Sequence, residues 1–458
     1  MRKVVMNVAA AVVGLSGVVG VAAAAPGDHL RAGNAVITPS LMAGTEFHTN
    51  VFRSDGDENA LEPGLSLVVN PRLGVQVPGN SVQFDLDVGW GMKKFFDVTP
   101  NNGLNAERLD RYTEADASMG LLVLPRSVVG FRLDDVFGVD HYPAELGTAE
   151  DGDANVRIIS NDLNGGFSIR PGSALDIGLL GNFGFDTYTL PTALESTSAA
   201  SLNDRTAYGP LLDARWRFLP RTELLLGGNV NWLKWRNNIV DAVGGSTPGS
   251  EYGFYLGKPD ALKWQATVGL KGQLTEKLAA TLQLGYGQMY YDEATVEDAI
   301  GSLTAGADEF GGGESAAYAA DLTSFAEGFV VNSQITWAPA KRQSVSIGYR
   351  KDFQDAFVSN YVTYNHVYLR YNGLYFDKLG LTAEASTRFD SYTGEISRVD
   401  QTFRMKANVA YKLTDWSSAG AGVGWTQLAC VDQLCDSGQY YLAQYDDVYG
   451  SLGLTFSY

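Results

Sequence analysis

The chain has 458 residues, with 34 Lys and Arg against 52 Asp and Glu, giving a formal charge of −18; 45% of it is apolar and 52 residues are glycine. That acidity excludes a nucleic-acid partner, which needs clustered bases against phosphate. The 23 Tyr, 21 Phe and 8 Trp exclude a disordered acidic polymer, and two cysteines with four histidines are too few for a disulfide-stapled fold or a Cys/His metal cluster. No cofactor or metal is expected.

In chain order, residues 1–24 read as a cleaved export signal. Met1-Arg2-Lys3 is a basic start, Val4 to Val21 an apolar run, and Ala22-Ala23-Ala24 the small residues a peptidase reads. Residues 25–458 then form one domain with no run of about 18 apolar residues, so no membrane helix is expected. Alternation with period two takes over. Leu65, Leu67, Val69, Leu73, Val75 and Val77 interleave with Ser66, Asn70, Arg72, Gly74 and Gln76; Val82, Phe84, Leu86, Val88 and Trp90 interleave with Gln83, Asp85, Asp87 and Gly89. Such a pattern puts an apolar and a polar row on opposite faces of a strand. The segments run roughly 10 to 14 residues, longer than the usual strand of a soluble sandwich and suited to a tilted strand with lipid on one side and water on the other. Edge groups of an open sheet would stay unpaired in hydrocarbon, so the strands must close into a barrel.

Eight short turns, at 78–80, 124–126, 170–172, 219–221, 275–277, 340–342, 377–378 and 414–415, alternate with nine longer polar segments, near 48–62, 97–107, 140–153, 187–204, 236–260, 291–323, 353–361, 391–399 and 428–440. Together they predict an all-β, antiparallel up-and-down transmembrane barrel of about 18 strands (16–18), with long acidic loops outside and short turns in the periplasm. The nine long segments carry −24 between them, eight units of it in 291–323; an acidic mouth of that kind attracts divalent cations, or simply keeps large loops solvated. Alternation is poor near 128–140 and 353–375. The chain stops on Leu452, Leu454, Phe456 and Tyr458 in phase, resembling the terminal signal by which the bacterial barrel-assembly machinery recognises its clients. Outer-membrane lipids and that machinery are the expected partners, and the outer membrane the expected location.

Polar-row charges supply the pore-lining candidates: Arg72, Asp85, Asp87, Glu114, Asp116, Arg132, Arg157, Asp176, Arg215, Arg217, Lys263, Lys271, Arg350, Glu384, Arg388, Arg404 and Lys406, with Asp134 and Asp213 beside them. Both signs occur, so the wall is expected to pair its charges and present no single uniform field. Trp90, Trp216, Trp232, Trp264, Trp337 and Trp425 share the apolar row and read as interface belts. Catalysis is not expected. His29 lies near the processed start, His48 and His141 fall in loops, and His366 shares a lumen parity with Tyr364, Tyr368 and Arg370, where a wall residue outweighs a Ser-His-Asp member; carboxylates two apart, such as Asp85/Asp87, recur in any polar lumen. Cys430 and Cys435 are expected to pair in an oxidising periplasm.

The opening Val36-Ile37-Thr38-Pro39-Ser40-Leu41, with Gly44, Thr49-Asn50-Val51-Phe52-Arg53 and then Pro63-Gly64-Leu65, resembles outer-membrane β-barrel porins associated with exopolysaccharide or capsule secretion; Ser346-Ile347-Gly348-Tyr349-Arg350 and Asn360-Tyr361 extend the likeness. The resemblance implies a wide barrel of about 18 strands serving as the outer-membrane port for a secreted polysaccharide, beside a periplasmic polysaccharide-export protein. It brings no catalytic residue, and the acidic segment 291–323 has no counterpart in it. The polar parity alone supports a different reading, a passive or nutrient-uptake porin. The large loops allow a third, a receptor or adhesin anchored by its barrel.

Overall fold

The computed structural model describes residues 30–51, 63–96, 111–142, 156–189, 204–235, 260–292, 325–355, 361–392, 399–431 and 445–458. The signal segment, Cys435 and most of each long polar segment lie outside the described residues, and with them the Cys430–Cys435 pairing and the acidic mouth.

Every described element is a strand or a tight turn. A short β1 (Leu30–Ala32) precedes β2 (Ala35–His48), β3 (Gly64–Val77), β4 (Val82–Phe96), β5 (Arg111–Val123), β6 (Val129–Tyr142) and β7 (Val156–Ile169). Next come β8 (Leu175–Thr189), β9 (Arg205–Leu219), β10 (Thr222–Trp235), β11 (Ala261–Gln273), β12 (Leu278–Tyr291) and β13 (Phe325–Ala340). The wall ends with β14 (Gln343–Asp355), β15 (Tyr361–Tyr375), β16 (Leu379–Tyr392), β17 (Val399–Lys412), β18 (Ser417–Cys430) and β19 (Tyr445–Ser457). Each of β2 to β19 pairs antiparallel with its sequence neighbours, and β19 closes on β2 from Tyr449↔His48 to Ser457↔Ser40. The result is a closed barrel of 18 strands, the outer-membrane porin architecture, because closure leaves no unpaired edge in lipid.

Strand β1 is an addition. It pairs with Ala35 to Ile37 of β2, whose other edge is taken by β3. It therefore continues the row of β19 beyond Tyr458, whose N–H donates to the Pro39 carbonyl at 3.0 Å. Gly33, at φ +64°, makes the turn into β2, a backbone state that glycine enters without steric cost.

A strand of 14 residues tilted by about 45° spans about 33 Å, the depth of a hydrocarbon core. The outer row is accordingly apolar: Leu452, Phe329 and Phe167 stand 65%, 69% and 58% exposed. Near the short turns, Trp216 packs on Phe218 and Trp416 stacks on Phe456. Toward the opposite rim Tyr208 stacks on Trp232, and Trp264 leans on Tyr286 while donating to Gln288 Oε1 at 3.2 Å. Rings whose polar edge finds a partner at the water interface suit both girdles.

Candidate functional site: the lumen wall

Side chains from strands that are not neighbours can meet only on the concave face of a barrel. Arg72 on β3 reaches Asp116 on β5 at 2.5 Å. Lys93 on β4 reaches Glu46 on β2 at 2.7 Å, and Arg132 on β6 lies 3.9 Å from Asp213 on β9. These pairs mark the inside. Directly paired residues share a face, so the register carries the assignment around the ring: Arg72↔Gly89, Gly89↔Asp116, Asp116↔Gly138 and onward.

The register places Arg72, Asp85, Asp87, Glu114, Asp116, Arg132, Asp176, Arg215, Arg217, Lys263, Lys271, Arg350, Glu384, Arg388, Arg404 and Lys406 on the lumen face. Arg157 is a correction. It shares the parity of Asn161, Leu163 and Phe167 and therefore sits on the outer row. Val156, Ile158 and Ile159 occupy both parities, so the local pattern gives no phase there.

The charges pair, as expected, yet they are not evenly spread. Among the described residues, the inner face of β4–β8 holds nine carboxylates (Asp85, Asp87, Glu114, Asp116, Asp134, Asp140, Asp162, Asp176, Asp186) against Lys93 and Arg132. The inner face of β9–β17 holds eleven bases against six carboxylates. Arg350 and Arg388 flank His366 on one rung of this second arc and Arg404, paired with Ser386, sits on the next, with Arg370 bound to Glu384 at 2.8 Å below them. An acidic arc facing a basic one makes a field across the bore.

At the closing seam His48 is a second correction: it ends β2 and points inward. Its Nδ1 lies 2.8 Å from Oδ2 of the buried Asp447, and its Nε2 lies 3.3 Å from Lys93 Nζ. With Nδ1–H donating to Asp447, Nε2 accepts from the ammonium, and Lys93 also holds Glu46. Backbone N–H of Asn50 adds a 3.3 Å bond to Asp447. This network clasps β19, β2 and β4 together; the Lys93 contact occupies the nitrogen a general base would use. His366 lies between Arg350 and Arg388 in register, beside Tyr368. No group of three His, Cys, Asp or Glu able to hold a metal ion occurs among the described residues.

The bore is narrowed by its own wall. Pairing of β13 with β14 stops at Val331↔Lys351, while β14 and β15 stay paired up to Asp355↔Tyr361. The end of that hairpin folds inward across β13, β12 and β11. Phe353, of outward parity, is 1% exposed and packs in one apolar cluster with Leu233, Trp235, Ala261, Met289, Tyr291 and Val330, with Tyr361 against it. Lys263 Nζ donates to the Phe353 carbonyl at 2.9 Å and stands 4.7 Å from its ring centroid; Gln265 reaches Asp352 Oδ1 at 3.4 Å. Gly287 and Gly328 face each other in register and form the seat: a Cβ on either would come 2.9 Å and 3.4 Å from the Phe353 ring. Sequence reading missed these residues. The one available signal was the failure of alternation after residue 353.

No protein-family model and no curated protein sequence matches the chain. Among solved structures it is similar to Acinetobacter baumannii OccAB3, at 10% identity and a TM-score of 0.45 over 93% of this chain and 100% of that one. Similar figures hold for Pseudomonas aeruginosa OpdQ (8%, 0.45, 93% and 97%) and for Pseudomonas aeruginosa OpdK with vanillate (11%, 0.43, 93% and 99%). The strand pairing, and not this distant likeness, defines the barrel.

Proposed function

We propose that the barrel is a passive outer-membrane porin for small hydrophilic solutes that carry charge. The observation behind this reading is the wet bore itself, lined by an acidic and a basic arc and narrowed at its outer end by the β14–β15 hairpin. A charged or dipolar solute trades its hydration for wall contacts of opposite sign on its two sides, and a bore of this kind discriminates by charge and by size. No residue is assigned a chemical step. Reconstitution in planar bilayers tests the reading: discrete conductance with a reversal potential that depends on the salt gradient is expected, together with faster swelling of proteoliposomes in small charged solutes than in large neutral ones. A barrel silent in both assays overturns it.

A second reading, an outer-membrane port for a secreted polysaccharide, is favoured by one observation, the opening motif from Thr38 to Phe52 with Pro63-Gly64-Leu65. The docked hairpin weighs against it, because a polymer in transit needs the space that the hairpin occupies. Deletion of the gene separates the two. Loss of surface polymer with synthesis intact favours export, and an unchanged surface with a growth defect on a limiting charged solute favours uptake.

A further inference from the structure

Asp135 stands in the wrong place for a lipid-facing wall. It is the seventh of 14 residues in β6, and register with Met119 and Leu163 puts it on the outer row, between Leu133 and Phe137. Two other described carboxylates share the outer row, Glu327 and Asp446, but they are the third and second residues of their strands. There Tyr286 and Trp425 bond them at the girdle. Asp135 lies at mid-depth, where hydrocarbon offers no hydrogen bond and a charge on the lipid face is destabilising. Its Oδ1 accepts from Asn161 Nδ2 at 2.8 Å, and that nitrogen has a long second contact, 3.4 Å to the Val136 carbonyl. Among the described residues Oδ2 accepts nothing.

A second, independent feature adjoins this couple. Gly165 of β7 and Gly181 of β8 are register partners on the same outer face; Leu133 covers Gly165, while a Cβ on Gly181 would meet nothing nearer than the Gly165 carbonyl at 3.9 Å, and the exposed Phe167, Leu179 and Phe183 stand around this open spot. Small residues beside polar ones let two membrane surfaces approach closely enough to bond.

We propose that the outer face of β6–β8 is an interface between two copies of this chain, related by a two-fold axis along the membrane normal. Copies in one membrane share an orientation, so residues of equal depth meet across such an axis, and the interface is isologous. The Asp135–Asn161 couple is self-complementary in that geometry. Each Asn161 donates its second N–H to Oδ2 of Asp135 on the second copy, and the four side chains leave the lipid together. A foreign partner would have to supply the same donor at the same depth; a second copy does so by symmetry.

The full chain in native outer-membrane vesicles and in nanodiscs is the material for the test. Leu163→Cys, beside Asp135 on the same outer row, is expected to cross-link to itself under mild oxidation, and Phe329→Cys, on β13 far around the wall, is not. Native mass measurement should give a dimer for the unsubstituted chain. Asp135→Leu should weaken that dimer about a hundredfold, about tenfold for each of the two symmetry-related charge-assisted hydrogen bonds it removes, while leaving the heat-modifiable mobility of the folded barrel intact. If the face meets lipid instead, Asp135→Leu raises the melting temperature, the unsubstituted chain is monomeric and neither cysteine variant cross-links; that set overturns the proposal. A dimer that survives Asp135→Leu and Asn161→Leu unchanged, or cross-linking of Leu163→Cys only to a different protein, overturns it as well.

Discussion

Strand β3 and the β14–β15 hairpin use the same alternating alphabet and end in opposite relations to the bore. From Gly64 to Val77 almost every residue of β3 is held on both edges, by β2 and by β4, and parity alone decides its face: Arg72 in, Leu73 out. Beyond Lys351, β14 keeps β15 but loses β13. With one edge released the hairpin turns inward, and Phe353, of outward parity, becomes the largest fully buried side chain described. Period two therefore fixes the face of a residue only where both neighbouring strands hold it.

Breaking the contrast at its strongest point gives the largest expected effect. Phe353→Ala removes a fully buried ring from the glycine seat, a loss of about 3–5 kcal/mol of docking energy by analogy with core truncations, and should free the hairpin. Single-channel conductance should rise and the size limit for swelling should relax, with the barrel still folded. Gly328→Leu should reproduce that gain from the other side of the contact.

Next is the seam. Asp447→Ala strips the buried partner from His48 and Asn50 and leaves Lys93 and Glu46 less firmly held. Breaking a buried charged contact costs about 3 kcal/mol, to be read as a lower melting temperature with the strand content of the folded state unchanged. A melting point equal to that of the parent chain would show that closure of β19 on β2 does not depend on this network.

A smaller effect is expected from the arcs. Neutralising Asp85, Asp87 and Asp116 to Asn should move the reversal potential toward anion selectivity, and Arg388→Gln with Arg404→Gln should move it toward cations. Both shifts should shrink as salt screens the wall. Equal selectivity in both variants would show that the arcs do not act on the permeating ion.

The smallest concerns Asp415, in the exposed turn before β18. Its hydrogen bond and ion pair with Lys412 hold its carboxyl below the ordinary value of 3.8. A lowered folded-state value means that the contribution is complete above the ordinary range and is lost as pH falls through the folded value. Asp415→Asn should therefore differ slightly from the parent at neutral pH, and the two melting curves should converge in strong acid.

Much of this was legible in the residues. Turn chemistry and segment length together mark 18 strands, and alternation puts Asp85, Asp87 and Trp90 on the correct faces, because those strands are paired on both edges. The two stretches of poor alternation, near 128–140 and 353–375, contain the two departures: Asp135, facing outward at mid-depth, and the infolded hairpin. Local alternation does not fix the face of Arg157, because apolar residues flank it in both parities. The local pattern leaves His48 in a loop because its partners at the end of β2 are Gly64, which has no side chain to extend the alternation, and Tyr449, some 400 residues away, which leaves no local mark.

Single-channel conductance of the parent chain beside Phe353→Ala, each recorded in the same bilayer and salt, tests most directly the claim that a charged bore is narrowed by its own hairpin. The account expects small, discrete, ion-selective steps in the parent and clearly larger steps in the variant. Steps of equal size in two folded barrels would contradict it.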